Sequence, residues 1–181
     1  MAESRAQSVQ IRGIFRCGEG VPHNATIELW DEDDPLQNFF YQFFLQENGI
    51  DPDDKLSTTQ PDINGNFEIS ANHEEFTKLS LYMVVYHQCE HLMHWKLNNF
   101  KDTKLQRWRR FVFRIPPRYV NDGEKAVEVF NLGTWNLQFK FMDEELVISC
   151  GASNFQPCKS KYPEYSPYLQ LFWKHSNLIH W

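Results

Sequence analysis

The chain has 181 residues, 41% of them hydrophobic and 23% charged, which suits one domain with a core of its own. Its 8 glycines and 9 prolines exclude collagen-like and low-complexity architectures, and no apolar run approaches the ~18 residues of a membrane-spanning helix. A net charge of −6 without a recognisable nucleic-acid module argues against nucleic acid as a partner. Aromatic residues reach 15%, which tilts the expectation toward strands.

Residues 1–8 are polar and read as a disordered lead-in, with no apolar stretch of the signal-peptide kind. From Val9 to Cys17 the alternation sets Val9, Ile11, Phe15 and Cys17 on one face, a strand pattern. Gly18 to Pro22 is turn chemistry. A second alternating run places Ala25, Ile27 and Leu29 opposite Thr26, Glu28 and Trp30. Residues 35–50 have neither period and read as an insertion. Their Phe39–Gln46 composition is what T-rich codons ending in CAG would encode, as in a retained intron. Leu56–Gln60 and Asn66–Ile69, joined through Asp62-Ile-Asn-Gly65, read as a hairpin. Glu74–Leu79 suits a short helical turn. Leu81–His87 is the most strand-like run, Phe111–Ile115 is another ended by Pro116-Pro117, and Ala126–Leu132 and Thr134–Phe141 close the series. In the last, Trp135, Leu137, Phe139 and Phe141 share a face. Residues 151–181 form an aromatic-rich tail in which Pro157, Pro163 and Pro167 oppose a long helix. Seven to eight short, turn-bounded strands with little helix predict an all-β Greek-key sandwich over 9–150.

Charge is unevenly placed. Lys96–Arg118 carries eight basic residues and one acid, Asp102, inside an otherwise strongly acidic chain. Its strand portion offers Arg107, Arg109, Arg110, Arg114 and Arg118 as candidate ligand-binding residues for phosphate or sulfate groups, as on anionic lipid headgroups or glycans. On one strand Arg110 and Arg114 share a face, with Val112 between them. His87-Gln-Cys-Glu-His91, with His94 further on, has spacing that could meet one zinc ion, but Cys89 as a disulfide half and the histidines as surface residues is the better account. Asp62-Ile-Asn-Gly-Asn-Phe-Glu68 hints at a calcium loop, yet its glycine stands fourth where an EF-hand needs it sixth, so a turn is preferred. No cofactor is expected. Asn24-Ala-Thr26 is a candidate glycosylation site.

Several of these stretches together resemble the transthyretin-like family of roundworms. They are Val9-Gln-Ile-Arg-Gly13, Ile27-Glu-Leu-Trp-Asp31, Asp51-Pro-Asp-Asp-Lys-Leu56, Asp62–Ile69, Glu75-Phe-Thr77 and Tyr86-His-Gln-Cys89. Phe111–Pro116, Tyr119-Val120 and Leu132–Leu137 follow in the same order. The resemblance spans roughly residues 8–150 and implies a transthyretin-type sandwich in a secreted protein without catalysis. Residues 35–50, 91–108 and 151–181 depart from the pattern. The related hydroxyisourate hydrolases share the fold and end in Tyr-Arg-Gly-Ser, which is missing here, so an enzyme is not expected. Four cysteines allow three pairings. The family's usual partner position before the basic strand holds no cysteine here. The expected bridge is therefore Cys17–Cys150, with Cys89 free or joined to Cys158. The partners expected are an anionic lipid surface, a glycan or a cell-surface receptor, with carriage of a small hydrophobic ligand or peptide as the alternative.

Overall fold

A computed structural model describes residues 4–22, 24–32, 53–89, 106–149 and 155–156. These form nine strands in two sheets and a single 3-10 turn at Pro117–Tyr119. The strands are β1 (Arg5–Arg16), β2 (Thr26–Asp31), β3 (Asp54–Thr59), β4 (Asn66–Glu75), β5 (Leu81–His87), β6 (Gln106–Arg114), β7 (Asn121–Asp122), β8 (Val129–Asn136) and β9 (Glu145–Ser149). β1 is the centre of one sheet. It pairs antiparallel with β4 on one flank, and on the other with β7 at one end and, in parallel, with β8. The second sheet runs β3-β2-β5-β6-β9, all antiparallel.

The period-2 alternation decides which side chains meet between the sheets. Val9, Ile11 and Phe15 of β1 with Phe67 and Ile69 of β4 face Ile27 and Leu29 of β2, Met83 and Val85 of β5 and Phe111 of β6 in one buried cluster. Aromatic contacts thicken it. Phe111 stacks on Phe141 at 4.4 Å and Phe113 meets Trp135 edge-on at 5.2 Å. Gly65 makes the corner between β3 and β4 possible: its φ is +80° and a Cβ would stand 2.2 Å from the Phe15 carbonyl oxygen. Asp62 closes that corner by accepting from the N–H groups of Asn64 and Asn66, both at 2.8 Å. Those hydrogen bonds hold its carboxyl below the usual range, the side-chain bond from Asn66 contributing most. A carboxylate engaged by its own loop is what the turn reading requires.

Several boundaries differ from the sequence reading. β1 starts at Arg5 rather than Val9, because Gln7 is fully buried, donating to the Thr77 carbonyl and accepting from Leu79 N–H. The segments read as a hairpin lie in different sheets. β3 pairs with β2 and β4 with β1, so the Asp62–Gly65 turn is a corner between layers. Glu74 and Glu75 continue β4 rather than begin a helical turn. The runs read as two strands around Gly133 are one strand, β8, whose register to β1 shifts beside that residue at φ +76°. It stops at Asn136, so Leu137 is buried while Phe139 is 69% exposed, and the expected shared face of Trp135, Leu137, Phe139 and Phe141 does not extend past the strand. β9 went unread, since Glu145–Ser149 lacks a polar–apolar rhythm.

The expected Cys17–Cys150 bridge is also corrected: Cys17 is bonded to Cys89, with a Cα separation of 5.6 Å. β1 and β5 finish at the same end of the sandwich in opposite sheets, which brings these two residues into bridging range. Cys150 and Cys158 lie outside the described residues, as do the segments 35–50 and 157–181 and the residues His91 and His94.

Candidate functional site

β6 carries four of the five candidate arginines and distributes them rather than gathering them. Alternation sends Trp108, Arg110, Val112 and Arg114 to the outer face of the five-stranded sheet, and Arg109, Phe111 and Phe113 inward. Arg109 is 9% exposed, and its five N–H groups meet five acceptors. Nε and Nη2 take the two oxygens of Glu144 at 2.6 and 2.8 Å. The Nη atoms also reach the carbonyls of Cys89 at 3.2 Å, Leu137 at 2.8 Å and Phe139 at 2.8 Å. This guanidinium ties the disulfide end of β5 to the loop after β8 and has no donor left for a ligand. Arg110 pairs with Glu145 at 3.2 Å. Arg114 forks onto both oxygens of Glu32, and that hydrogen-bonded pair raises its pKa further above the ordinary guanidinium value. Arg118 lies past the strand, its guanidinium 4.8 Å from the Tyr119 ring centroid. Arg107 is half-buried, and its carbonyl accepts from Gln88.

The outer face has an arrangement of its own. Cross-strand registers build rows: Trp30, Tyr82 and Arg114; then Glu28, Val84 and Val112; then Thr26, Tyr86, Arg110 and Glu145; then Trp108 beside Val147. Trp30 and Tyr82 stack at 6.4 Å, Lys55 sits 5.7 Å over Trp30, and the Trp30 indole donates to Glu28 at 3.1 Å. The Tyr82 hydroxyl donates to Asp53 at 2.6 Å. Desolvation first, then that hydrogen bond, pushes its pKa well above the ordinary phenol value. Val84, Tyr86 and Trp108 form a second apolar cluster separate from the sandwich core. Phe155 lies flat on Tyr86 at 3.7 Å and edge-on to Trp108 at 6.0 Å. Among the described residues the face is therefore capped over its Tyr86–Trp108 half and open over its Trp30–Val112 half, where Val112 is 42% exposed.

Sequence reasoning concentrated on the arginines and passed over these aromatics. A signal was present: Leu81–Tyr86 is apolar on both faces, which a half-solvated antiparallel strand would not be. For the weak metal set, the disulfide commits the Cys89 sulfur, and His87 is fully buried, edge-on to Phe111 at 5.9 Å. Asn24 is exposed with φ 56° in the turn entering β2, while Thr26 of the same sequon is buried. No helix among the described residues is long and apolar enough to cross a membrane.

Comparison with known proteins agrees with this architecture. A model of the transthyretin-like family matches residues 12–116. Transthyretin-like protein 46 of Caenorhabditis elegans is 31% identical over 145 residues, 80% of this chain and 67% of that protein. Transthyretin-like protein 2 of the same worm is 30% identical over 141 residues, covering 77% and 81%. Transthyretin-like protein 33 is 28% identical over 138 residues, covering 76% and 79%. Among solved structures, a 9R-lipoxygenase from Cyanothece is similar at TM-score 0.34 and 17% identity, over 73% of this chain and 17% of the lipoxygenase, a likeness that bears on neither fold nor function. By the family match and these relatives, the chain belongs to the transthyretin-like family.

Proposed function

We propose that this is a secreted, glycosylated binding protein that performs no catalysis and grips a cell-surface receptor through the open half of the outer face. The observation that carries this reading is Val112, exposed between Arg110 and Arg114 and beside the stacked Trp30–Tyr82 pair. The outer face of an antiparallel sandwich is ordinarily polar. Here it offers aromatic rings, an aliphatic centre and arginines already matched by Glu145 and Glu32, the composition of a protein-recognition hot spot. An anionic lipid surface is a weaker fit. It rewards uncompensated cations at about 1 kcal/mol each, and Arg109, Arg110 and Arg114 are all paired with glutamates. The disulfide and the exposed Asn24 of a glycosylation sequon support passage through an oxidising compartment.

The test is binding of fluorescently labelled protein to cultured cells, before and after protease stripping, alongside co-sedimentation with phosphatidylserine vesicles. The expected result is cell binding that stripping abolishes, that Val112→Glu weakens at least about tenfold without moving the thermal midpoint, and little pelleting with vesicles. Wild-type binding by Val112→Glu, or vesicle pelleting that accounts for the cell signal, overturns it.

A further inference from the structure

We propose that the cleft formed by Tyr86 and Trp108 is a binding site for the aromatic side chain of an extended peptide, and that Phe155 fills it as a displaceable internal occupant. This builds on the outer face as the recognition surface but concerns its capped half. Three kinds of contact define the site. The Phe155 ring lies parallel to Tyr86, 3.7 Å between centroids and 5° between planes, and meets Trp108 edge-on at 76°. Two hydroxyls then read the backbone on either side of that ring. Thr26 Oγ1 accepts from Phe155 N–H at 3.4 Å, and Ser149 Oγ accepts from Gln156 N–H at 2.8 Å while donating to the Gln156 carbonyl at 3.1 Å. A stacking floor, an aromatic wall and paired main-chain contacts are what a peptide-recognition groove uses. None of them depends on the residue being covalently part of this chain.

Two observations mark the occupant as a plug rather than core. Phe155 is only partly buried and packs on the face from one side, outside the main cluster between the sheets. Beneath it, Trp108 is 0% exposed and its Nε1–H has no acceptor among the described residues. Buried donors are normally satisfied, so the Phe155 ring leaves one recognition group of the cleft unanswered. The long 3.4 Å anchor at Thr26 fits the same picture.

The experiment uses the whole chain with Phe155→Ala and follows the Trp108 indole N–H resonance during titration with the dipeptide N-acetyl-Phe-Gln-amide, with N-acetyl-Ala-Gln-amide as control. A saturable shift is expected for Phe155→Ala with the phenylalanyl dipeptide, absent with the alanyl one, and at least about tenfold weaker in wild type, where the intramolecular occupant competes at its high effective concentration. A folded Phe155→Ala protein with no saturable shift overturns the proposal, as does a wild-type chain that binds as tightly as the variant. Should Phe155→Ala fail to fold, Phe155→Leu keeps apolar volume on the cleft but gives up the stack on Tyr86, and it must gain the same response. Loss of the dipeptide shift with cell binding intact refutes this site alone. Loss of the Val112 effect with the dipeptide shift intact refutes the receptor reading alone.

Discussion

Arg109 offers the sharpest test of whether the basic strand is recognition surface or framework. Replacing it with methionine keeps much of the aliphatic volume but leaves Glu144, whose side chain is 6% exposed, without its cation. It also strips donors from three carbonyls. Breaking a buried ion pair from one side costs about 3–5 kcal/mol, and each orphaned buried acceptor adds roughly 1–3 kcal/mol, not additively. The expected loss for Arg109→Met is therefore about 4–6 kcal/mol, comparable to the ~5–15 kcal/mol that holds a typical domain folded. Arg109→Lys keeps the charge but offers three donors and no planar fork, so about 2–3 kcal/mol should be lost. Urea unfolding with the disulfide intact measures both. With a slope of about 1–3 kcal/mol per molar, the lysine variant's midpoint should fall by roughly 1 M or more. Adding Glu144→Leu to Arg109→Met removes the stranded charge and should restore about 2 kcal/mol. A lysine variant within about 0.5 kcal/mol of wild type, or a double variant no more stable than the single, would refute the clamp.

Two further outcomes follow from the same framework. Cys17 and Cys89 enclose a 72-residue separation, for which chain-entropy reasoning gives about 4 kcal/mol. The Cys17→Ser/Cys89→Ser protein should lose up to that amount in urea titration, with little further loss on adding reductant. Asp31 is 3% exposed, with Ser80 N–H donating to it at 2.8 Å, and burial first among its influences raises its pKa above the ordinary carboxylate value. The folded state thus holds this proton more tightly than the unfolded one. The corresponding stability is complete below the ordinary carboxylate pKa and lost as pH rises through the higher folded value. Asp31→Asn should be more stable relative to wild type at pH 7 than at pH 3; an equal difference at both pH values would contradict the assignment.

Strand identity was legible wherever apolar and polar side chains alternate, because the rhythm in Val9–Phe15 and Ala25–Leu29 has a single interpretation. It failed where rhythm and turn chemistry parted. Asp62–Gly65 has the residues of a hairpin turn, but which strand β4 joins is settled by the Ile11–Ile69 register with β1, a long-range pairing that local sequence does not encode. Gly133 reads as a break when it is a shift in register within one strand. For the site, the arginines advertised themselves by charge alone. Whether each faces a glutamate depends on Glu32, Glu144 and Glu145, which lie 35 to 82 positions away. The aromatic outer face stayed hidden for a related reason: Trp30 meets Tyr82, and Trp108 joins Val84 and Tyr86, only once β2, β5 and β6 are laid side by side.

The position of β1 has a consequence for how the molecule is made. β1, synthesised before the other described strands, is the middle of its sheet, and the flank that receives β8 must wait for Val129, 119 positions after its partner Gln10. At translation rates of about 5–20 residues per second, that vacancy lasts roughly 6–24 s. Throughout that interval an unpaired strand edge is available to any passing chain, so nascent copies should lean on chaperones, and slowing elongation between the codons for β4 and β8 should lower the yield of soluble product.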